Sequence, residues 1–339
     1  MLQRLKAIPV DAFLLALAAT VAVAALLPAR GTAAEVVSIA AKAAIALLFF
    51  LYGARLSPQQ AWHGFRQWRL HLLVLTTTFV VFPVLGLAAR ALVPSVLTID
   101  LYNGVLFLCL LPSTVQSCVA FTAIARGHVS AAVVSASLSN ILGLVLTPLL
   151  VVLLMHTGTG VRVNGSSIGE IVLQLLLPFG LGQLARPRLV SIVDRHPMAL
   201  KVVDRGSILL VVYTAFSEGV VKGVWASVDP WHLVSLTGVA IVLLAVVLIW
   251  TAGVGRFARF DRGDAIVLLF CGSKKSLASG LPMALVLFDP ATVGLIMLPL
   301  MIFHQVQLVA CALIANRLAR ERNPQARSTG PRRQVGAES

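Results

Sequence analysis

The sequence predicts an all-α membrane protein of ten transmembrane helices, arranged as two halves of five. Three observations carry that reading. Hydrophobic residues fill 58% of the 339 positions and charged residues 12%, with a mean hydropathy of +0.93, far too apolar for a soluble chain of this size. The apolar residues form ten windows, approximately 10–28, 35–54, 70–92, 101–125, 129–155, 168–185, 205–224, 232–256, 264–288 and 291–316. At about 1.5 Å per residue, a window of some 20 residues crosses a hydrocarbon core of roughly 30 Å. The third observation is that basic residues fall on alternate connections, as the positive-inside bias requires.

With the N-terminus in the cytoplasm, the inner segments hold 20 of the 27 Lys and Arg. Arg30, Arg90, Arg162 and Lys222 fall outside, and Lys42, Lys274 and Lys275 lie within spans. This places both termini in the cytoplasm and the chain in the cytoplasmic membrane. The net charge of +14 would suggest a nucleic-acid partner in a soluble chain, but its distribution assigns it to topology and lipid, so no nucleic acid is expected. The first window follows Arg4 and Lys6 and is too long for the apolar region of a signal peptide, so it reads as a helix. Between the second and third windows, Ser57-Pro58 opens a segment with Trp62, Phe65, Arg66, Trp68 and Arg69 at helical spacing. It reads as an interfacial helix or as an aromatic belt alone. Asn164-Gly165-Ser166 in the outer loop 156–167 has the glycosylation pattern and reads as a turn. The domain division is 10–155, 168–316, and a disordered basic tail, 317–339, held near anionic lipid. Cys109, Cys118, Cys271 and Cys311 each lie within a span, with no paired spacing that would signal a disulfide framework or a metal centre. Neither a metal nor a cofactor is expected.

The fourth and ninth windows depart from plain hydrophobic helices. The ninth, DAIVLLFCGSKKSLASGLPMALVLF, places Lys274 and Lys275 about 15 Å from its start, too deep for a side chain of about 6 Å to reach the interface. A lysine at mid-membrane costs about 2.5–3.5 kcal/mol on insertion scales and marks a pathway or site. Gly272, Gly280 and Pro282 around it predict a discontinuous helix. The fourth, LYNGVLFLCLLPSTVQSCVAFTAIA, has Pro112 at similar depth, then Ser113, Thr114, Gln116, Ser117 and Thr122. Five spans per half means that halves sharing a fold are inverted, and paired interrupted segments in such halves point to a transport site. Thr76–Thr78, Ser135, Ser137, Ser139, Asn140, His304, Gln305 and Gln307 add polar groups at similar depth. Singly, such residues glue helices; together they make a polar midplane. All 13 acidic residues lie in loops or near span ends, so the deep charge is positive only. That favours an anionic substrate, a lysine whose proton is shuttled, or both.

The stretches LLPSTVQSCVAFTAIARGHVSAA, LSNILGLVLTPLL, FCGSKKSLASGLPMALVLF and PLMIFHQVQLV resemble the bile acid:sodium symporter family, nearest its bacterial branch related to the seventh human member. The resemblance covers nearly the whole chain. It implies two inverted five-helix repeats, a panel of spans 1, 2, 6 and 7, a core of spans 3–5 and 8–10, and broken helices 4 and 9 that cross. It also implies sodium sites, which this chain does not keep. The ninth-span glutamate and glutamine ligands of the sodium-coupled branch fall on Ser273 and Leu277. The fourth-span pair falls on Ser117 and Cys118, the fifth-span hydroxyls on Ala132 and Ala136, and a third-span glutamine on Thr78.

The expected function is secondary transport of a small organic anion by alternating access, with a lysine replacing sodium, so that transport is sodium-independent or proton-coupled. The substrate set is Ser113, Thr114, Gln116, Ser117, Lys274, Lys275, Ser276, His304 and Gln305. The ion-coupling or cation-replacing set is Lys274, Lys275, Ser273, Ser117, Cys118, Asn140 and Thr78. Two other readings stay open: lysines that only brace the broken helices through backbone carbonyls, and a regulatory membrane protein that keeps the fold without transporting. No enzyme-like pairing of nucleophile and base stands out.

Overall fold

A computed structural model describes residues 12–55, 67–155, 168–223 and 229–321, all of it helix and short connections with no strand among the described residues. The helices are α1 (Ala12–Leu26), α2 (Thr32–Arg55), α3 (Trp68–Leu92), α4 (Ile99–Leu110), α5 (Val115–Ile124) and α6 (Val129–Met155). They continue as α7 (Ile168–Arg195), α8 (Pro197–Val221), α9 (Pro230–Phe257), α10 (Arg262–Ser273), α11 (Leu277–Leu287) and α12 (Pro290–Glu321). Five of them, α2, α3, α6, α9 and α12, are long and apolar enough to cross a membrane, and the pair α4–α5, bent by 64°, makes a sixth. Val36, Ile39, Leu153, Leu184, Ile249, Phe257 and Leu313 stand more than 60% exposed on these surfaces, as lipid contact demands of side chains with no polar face.

Local chemistry sets the ends and the irregularities. In α3 the turn Thr77–Val81 is wide: the Phe82 N–H reaches back five residues to the Thr77 carbonyl, and Pro83 follows with no N–H to give. Asp261 caps α10 by accepting from the Asp264 N–H, and Ser276 caps α11 by accepting from the Ser279 N–H. Pro112 ends α4, and residues 111–114 are extended before α5 begins.

Two expectations need correction. The break in the ninth window falls at Lys274–Ser276, while Gly272, Gly280 and Pro282 lie inside helices. The glycines are there for space: a methyl on Gly280 would meet Leu111 and Leu300, and one on Gly272 would meet Thr251. The second concerns the expected inner loop between the sixth and seventh windows. α7 runs on to Arg195 and α8 starts at Pro197, because basic residues continue a helix past the membrane and proline suits its first turn. α12 likewise continues to Glu321, beyond the expected start of the tail. Most of the interfacial segment, the Asn164 sequon and the tail from residue 322 lie outside the described residues.

Helices α1, α2, α7 and α8 pack together, and α3 to α6 pack with α9 to α12 around the two breaks; α8 also bears on α11 and α12. The centre is built on Phe82, Tyr102, Phe107, Phe288 and Phe303, with Phe107 edge-on to Phe288 at 5.0 Å and Phe82 edge-on to Phe303 at 6.2 Å. Helices α2 and α7 cross closely through reciprocal Phe-x-x-Gly steps. A methyl on Gly53 would strike the Phe179 carbonyl, and one on Gly182 the Phe50 carbonyl. Gly180, two residues from Gly182 and on the other side of the helix, faces open space. Gly53→Val or Gly182→Val should therefore destabilise by about 3 kcal/mol or more. Gly180→Ala should be neutral or stabilising by up to ~1 kcal/mol. Thermal unfolding of the detergent-solubilised protein checks both.

Candidate functional site

The two breaks meet at the centre of the protein, and backbone groups they free find partners in the opposite break and in α6 and α12. The Leu110 carbonyl accepts from Thr147 Oγ1 at 2.9 Å, the Pro112 carbonyl from the Ser276 N–H at 2.9 Å, and the Ser113 carbonyl from Asn140 Nδ2 at 2.7 Å. From the other break, the Cys271 carbonyl accepts from Ser113 Oγ at 2.6 Å and the Phe270 carbonyl from Cys118 Sγ at 3.3 Å. Gln307 closes the set with its amide: Oε1 accepts from the Lys275 N–H and Nε2 donates to the Lys275 carbonyl, both at 2.9 Å. Unpaired backbone polar groups away from water cost several kcal/mol each, so these partners are what permit irregular chain at this depth.

The two lysines are fully buried and differ in their surroundings. Lys275 Nζ donates to the carbonyls of Thr78 at 2.9 Å, Cys109 at 2.8 Å and Leu111 at 2.7 Å, and stands 4.1 Å from the centre of the Phe82 ring. An ammonium has three protons, and here each has an acceptor. Lys274 Nζ has no hydrogen-bond acceptor among the described residues; it lies 3.7 Å from the centre of the Phe121 ring and 6.0 Å from that of Phe270.

Beside the crossing lies a cavity of about 590 Å³, within the range of small-molecule sites. One wall comes from α2, α7 and α8, with Phe49, Tyr52, Arg55, Phe179, Arg205 and Ile208. The opposite wall comes from α5, α6, α11 and α12 and carries the hydrogen-bonding groups, with Thr114, Gln116, Ser117, Asn140, Ser276, Ser279 and His304 among them. Among the described residues no Asp or Glu lines the cavity. Besides its bond to Ser113, Asn140 is held by two more, Nδ2 to the Ala136 carbonyl and Oδ1 from Ser279 Oγ, at 2.9 and 2.8 Å. His304 Nδ1 accepts from Gln307 Nε2 at 2.9 Å, which leaves the ring's other nitrogen to carry the proton.

The structure thus brings Thr114, Gln116, Ser117, Ser276, His304 and Asn140 together on one cavity. It does not bring Ser113, Lys274, Lys275 or Gln305 there. Ser113 is spent on the crossing, its N–H donating to Ser139 Oγ at 3.0 Å. Both ammonium groups point into the protein, and Gln305 lines a separate apolar groove with Ile241, Leu244 and Val309. Ser273 and Thr78 turn their hydroxyls back onto their own helices, to the Leu269 carbonyl at 2.5 Å and the Val74 carbonyl at 2.8 Å. Arg55, Arg205, Ser137 and Ser279 are lining residues that the sequence reading did not select. Arg55 and Arg205 had been assigned to inner connections; the Pro197 start of α8 is the signal that sets Arg205 two turns inside a helix.

At the ends of α5 and α10, His128 Nδ1 lies 2.8 Å from Asp264 Oδ1 and 3.8 Å from Asp261 Oδ1, while Gln67 Nε2 donates to Asp264 Oδ1 at 3.3 Å. Arg262 Nη2 donates to the Leu318 carbonyl at 2.6 Å, tying α10 to α12 at the same end. His128, Asp261 and Asp264 have the chemistry to hold a metal ion, their ligand atoms lying within 4.8 Å of one another. Their contacts to each other make them an ion pair first. The hydrogen bond to Asp264, with the charges of both aspartates, raises the His128 imidazole above its ordinary value against a smaller opposing effect of burial.

Helices of membrane-spanning length, broken at their centre and flanked by a polar cavity, define a membrane transporter. The comparisons agree. The chain belongs to the SBF-like CPA transporter family, whose model matches residues 11–320. It is 51% identical over 318 residues to an uncharacterized protein of Pseudomonas aeruginosa, covering 92% of this chain and 94% of that one. It is 48% identical over 312 residues to "Putative symporter YfeH" of Escherichia coli (92% and 93%), and 28% identical over 273 residues to "Sodium/bile acid cotransporter 7" of Danio rerio (78% and 80%). Family and relatives indicate a transporter in a membrane and not an enzyme.

Two outcomes follow from the geometry. Gln307→Leu leaves the Lys275 N–H and carbonyl without partners and should cost about 2–4 kcal/mol in thermal or denaturant unfolding. Because the His128 pKa is raised on folding, its contribution is full below the unfolded value of about 6.5 and is lost as pH rises through the folded one. The difference in melting temperature between wild type and His128→Gln should accordingly be largest near pH 6 and shrink toward pH 9, the approximate limits over which such a pair titrates.

Proposed function

We propose that this protein is a secondary transporter that carries a small organic anion by alternating access, with the Lys275 ammonium standing in for a coupling cation. The observation that carries the reading is the charge of the cavity wall: Arg55 and Arg205 line it, and among the described residues no carboxylate does. Guanidinium groups recognise carboxylates and sulfates through paired, charge-assisted N–H donors, so two of them on the wall favour a negatively charged substrate. Phe49, Phe179 and Ile208 on one wall and Leu144 and Leu308 on the other supply apolar surface, so the substrate is an anion with a hydrophobic body.

The architecture proposed is ten spans with both termini in the cytoplasm, in inverted repeats 10–155 and 168–316. The paired breaks support it, since a 12-residue helix precedes each and a helix of 10 or 11 residues follows. The cavity between α2, α7 and α8 on one side and the broken helices on the other supports the division into panel and core. Arg55 and Arg205 lie toward the helix ends that the positive-inside bias assigns to the cytoplasm, so the cavity opens inward. Two of the relatives are named as a symporter and a sodium/bile acid cotransporter. The positions where sodium ligands are expected here offer Ser273, Leu277, Ser117, Cys118, Ala132, Ala136 and Thr78, and Ser117 with stray backbone carbonyls is a set too poor in oxygen for a desolvated sodium ion.

Purified protein in proteoliposomes tests this with a panel of amphipathic carboxylates and sulfates under separately imposed sodium, proton and voltage gradients. Uptake should proceed without a sodium gradient, and Arg55→Gln and Arg205→Gln should each raise KM roughly tenfold or more. Uptake driven by a sodium gradient alone would overturn the lysine assignment. No uptake of any anion, with a folded protein and an intact cavity, would favour the regulatory reading.

A further inference from the structure

The carbonyls around Lys275 have a common origin in interrupted helices. The Thr78 carbonyl faces the wide turn of α3, where the Phe82 N–H is taken by Thr77 and the next residue, Pro83, has no N–H. The Cys109 carbonyl would bond to the Ser113 N–H in a continuous helix, but that group donates to Ser139. The Leu111 carbonyl lies beyond the last turn of α4, in the extended segment that Pro112 opens. Three orphaned oxygens from two elements thus converge on one point, 2.7–2.9 Å from the nitrogen of a third. The Phe82 ring, 4.1 Å away, covers the point with a π face. The oxygens come from main chain, so they are present whatever side chain stands at 275.

We propose that this cage is a monovalent-cation site which the chain fills with its own ammonium, and that shortening Lys275 lets an external cation of ammonium or potassium size take its place. The size follows from the spacing: contacts of 2.7–2.9 Å suit ammonium and potassium and are long for sodium. The sign follows from the donors. Three carbonyl dipoles and a ring face aimed at one buried point are repulsive among themselves without a positive charge between them. Such a site has two states, filled by tether or filled by ion, and only the second can depend on the medium. The inference rests on the reading of Lys275 as a resident cation, but its test reads stability, not uptake.

Lys275→Ala, purified in tetramethylammonium buffer whose cation is too large for the cage, should melt about 10 °C below wild type. Potassium or n-propylammonium, which with alanine rebuilds the length of lysine, should restore most of that loss. Sodium should restore less, and wild type should respond to none of them. Lys275→Met, which fills the space without charge, should lose as much and recover with no cation. If Lys275→Ala does not survive purification in tetramethylammonium, the readout is its yield of monodisperse protein when extracted in potassium or propylammonium against tetramethylammonium. An unchanged melting temperature in Lys275→Ala, or equal stability or yield in all cations, overturns the cage. Restored stability in a variant that transports by a sodium gradient overturns the transport reading and leaves the cage standing.

Discussion

The arrangement depends on satisfying backbone carbonyls that two broken helices and one widened turn release in the middle of an apolar protein. Water cannot reach them there, and each would cost several kcal/mol if left bare. The solution is reciprocal: donors from one break serve acceptors of the other, as Ser113 Oγ serves Cys271 and the Ser276 N–H serves Pro112. Lys275 supplies the largest share, since a single ammonium serves three carbonyls that no neutral side chain could serve together. The choice of lysine over an apolar residue at 275 follows from that count.

This bracing divides the polar residues of the core into two populations. Ser113, Ser139, Thr147 and Gln307 are buried and committed to backbone, so they hold the crossing rigid. Thr114, Gln116, Ser117 and His304 lie on the cavity wall, a turn or less from the braced groups. The first population preorganises the second, in that the hydrogen-bonding wall is mounted on a scaffold whose own polar needs are met. Arg55 and Arg205 come from the other wall, so under the proposed function an anion in the cavity would touch both sets of helices at once. Contact with both sets is what a substrate needs if its binding is to bias their relative position.

Much of the fold was legible from the sequence, because hydrophobic windows and proline act locally. The window 129–155 matches α6 residue for residue, and Pro112 broke its helix where its missing N–H required. The site was legible in kind but not in detail. Ser113 and Ser276 look alike in sequence, each next to a break, yet Ser113 is spent on the Cys271 carbonyl and Ser276 lines the cavity. Which way a side chain turns at a break is set by partners far along the chain, and local pattern does not contain them. The same holds for Gly280, whose glycine answers to Leu111 and Leu300 from other elements and not to any need for a break. Arg55 and Arg205 were hidden because the inner-side bias accounted for them as loop charges, which obscured their place on the cavity.

A tethered cation also constrains the energetics of the cycle. An ion that binds and leaves can draw on its own gradient; an ammonium fixed to the backbone cannot. Under the proposed function, the anion must then either run down its own electrochemical gradient or be driven by exchange against another anion or by a proton carried on a different group. His304 borders the cavity, and its Nδ1 is anchored through Gln307 to the backbone of Lys275. The amide of Gln307 therefore joins the residue that supplies fixed charge to the residue that touches the cavity, and any movement of the second break is felt by the ring.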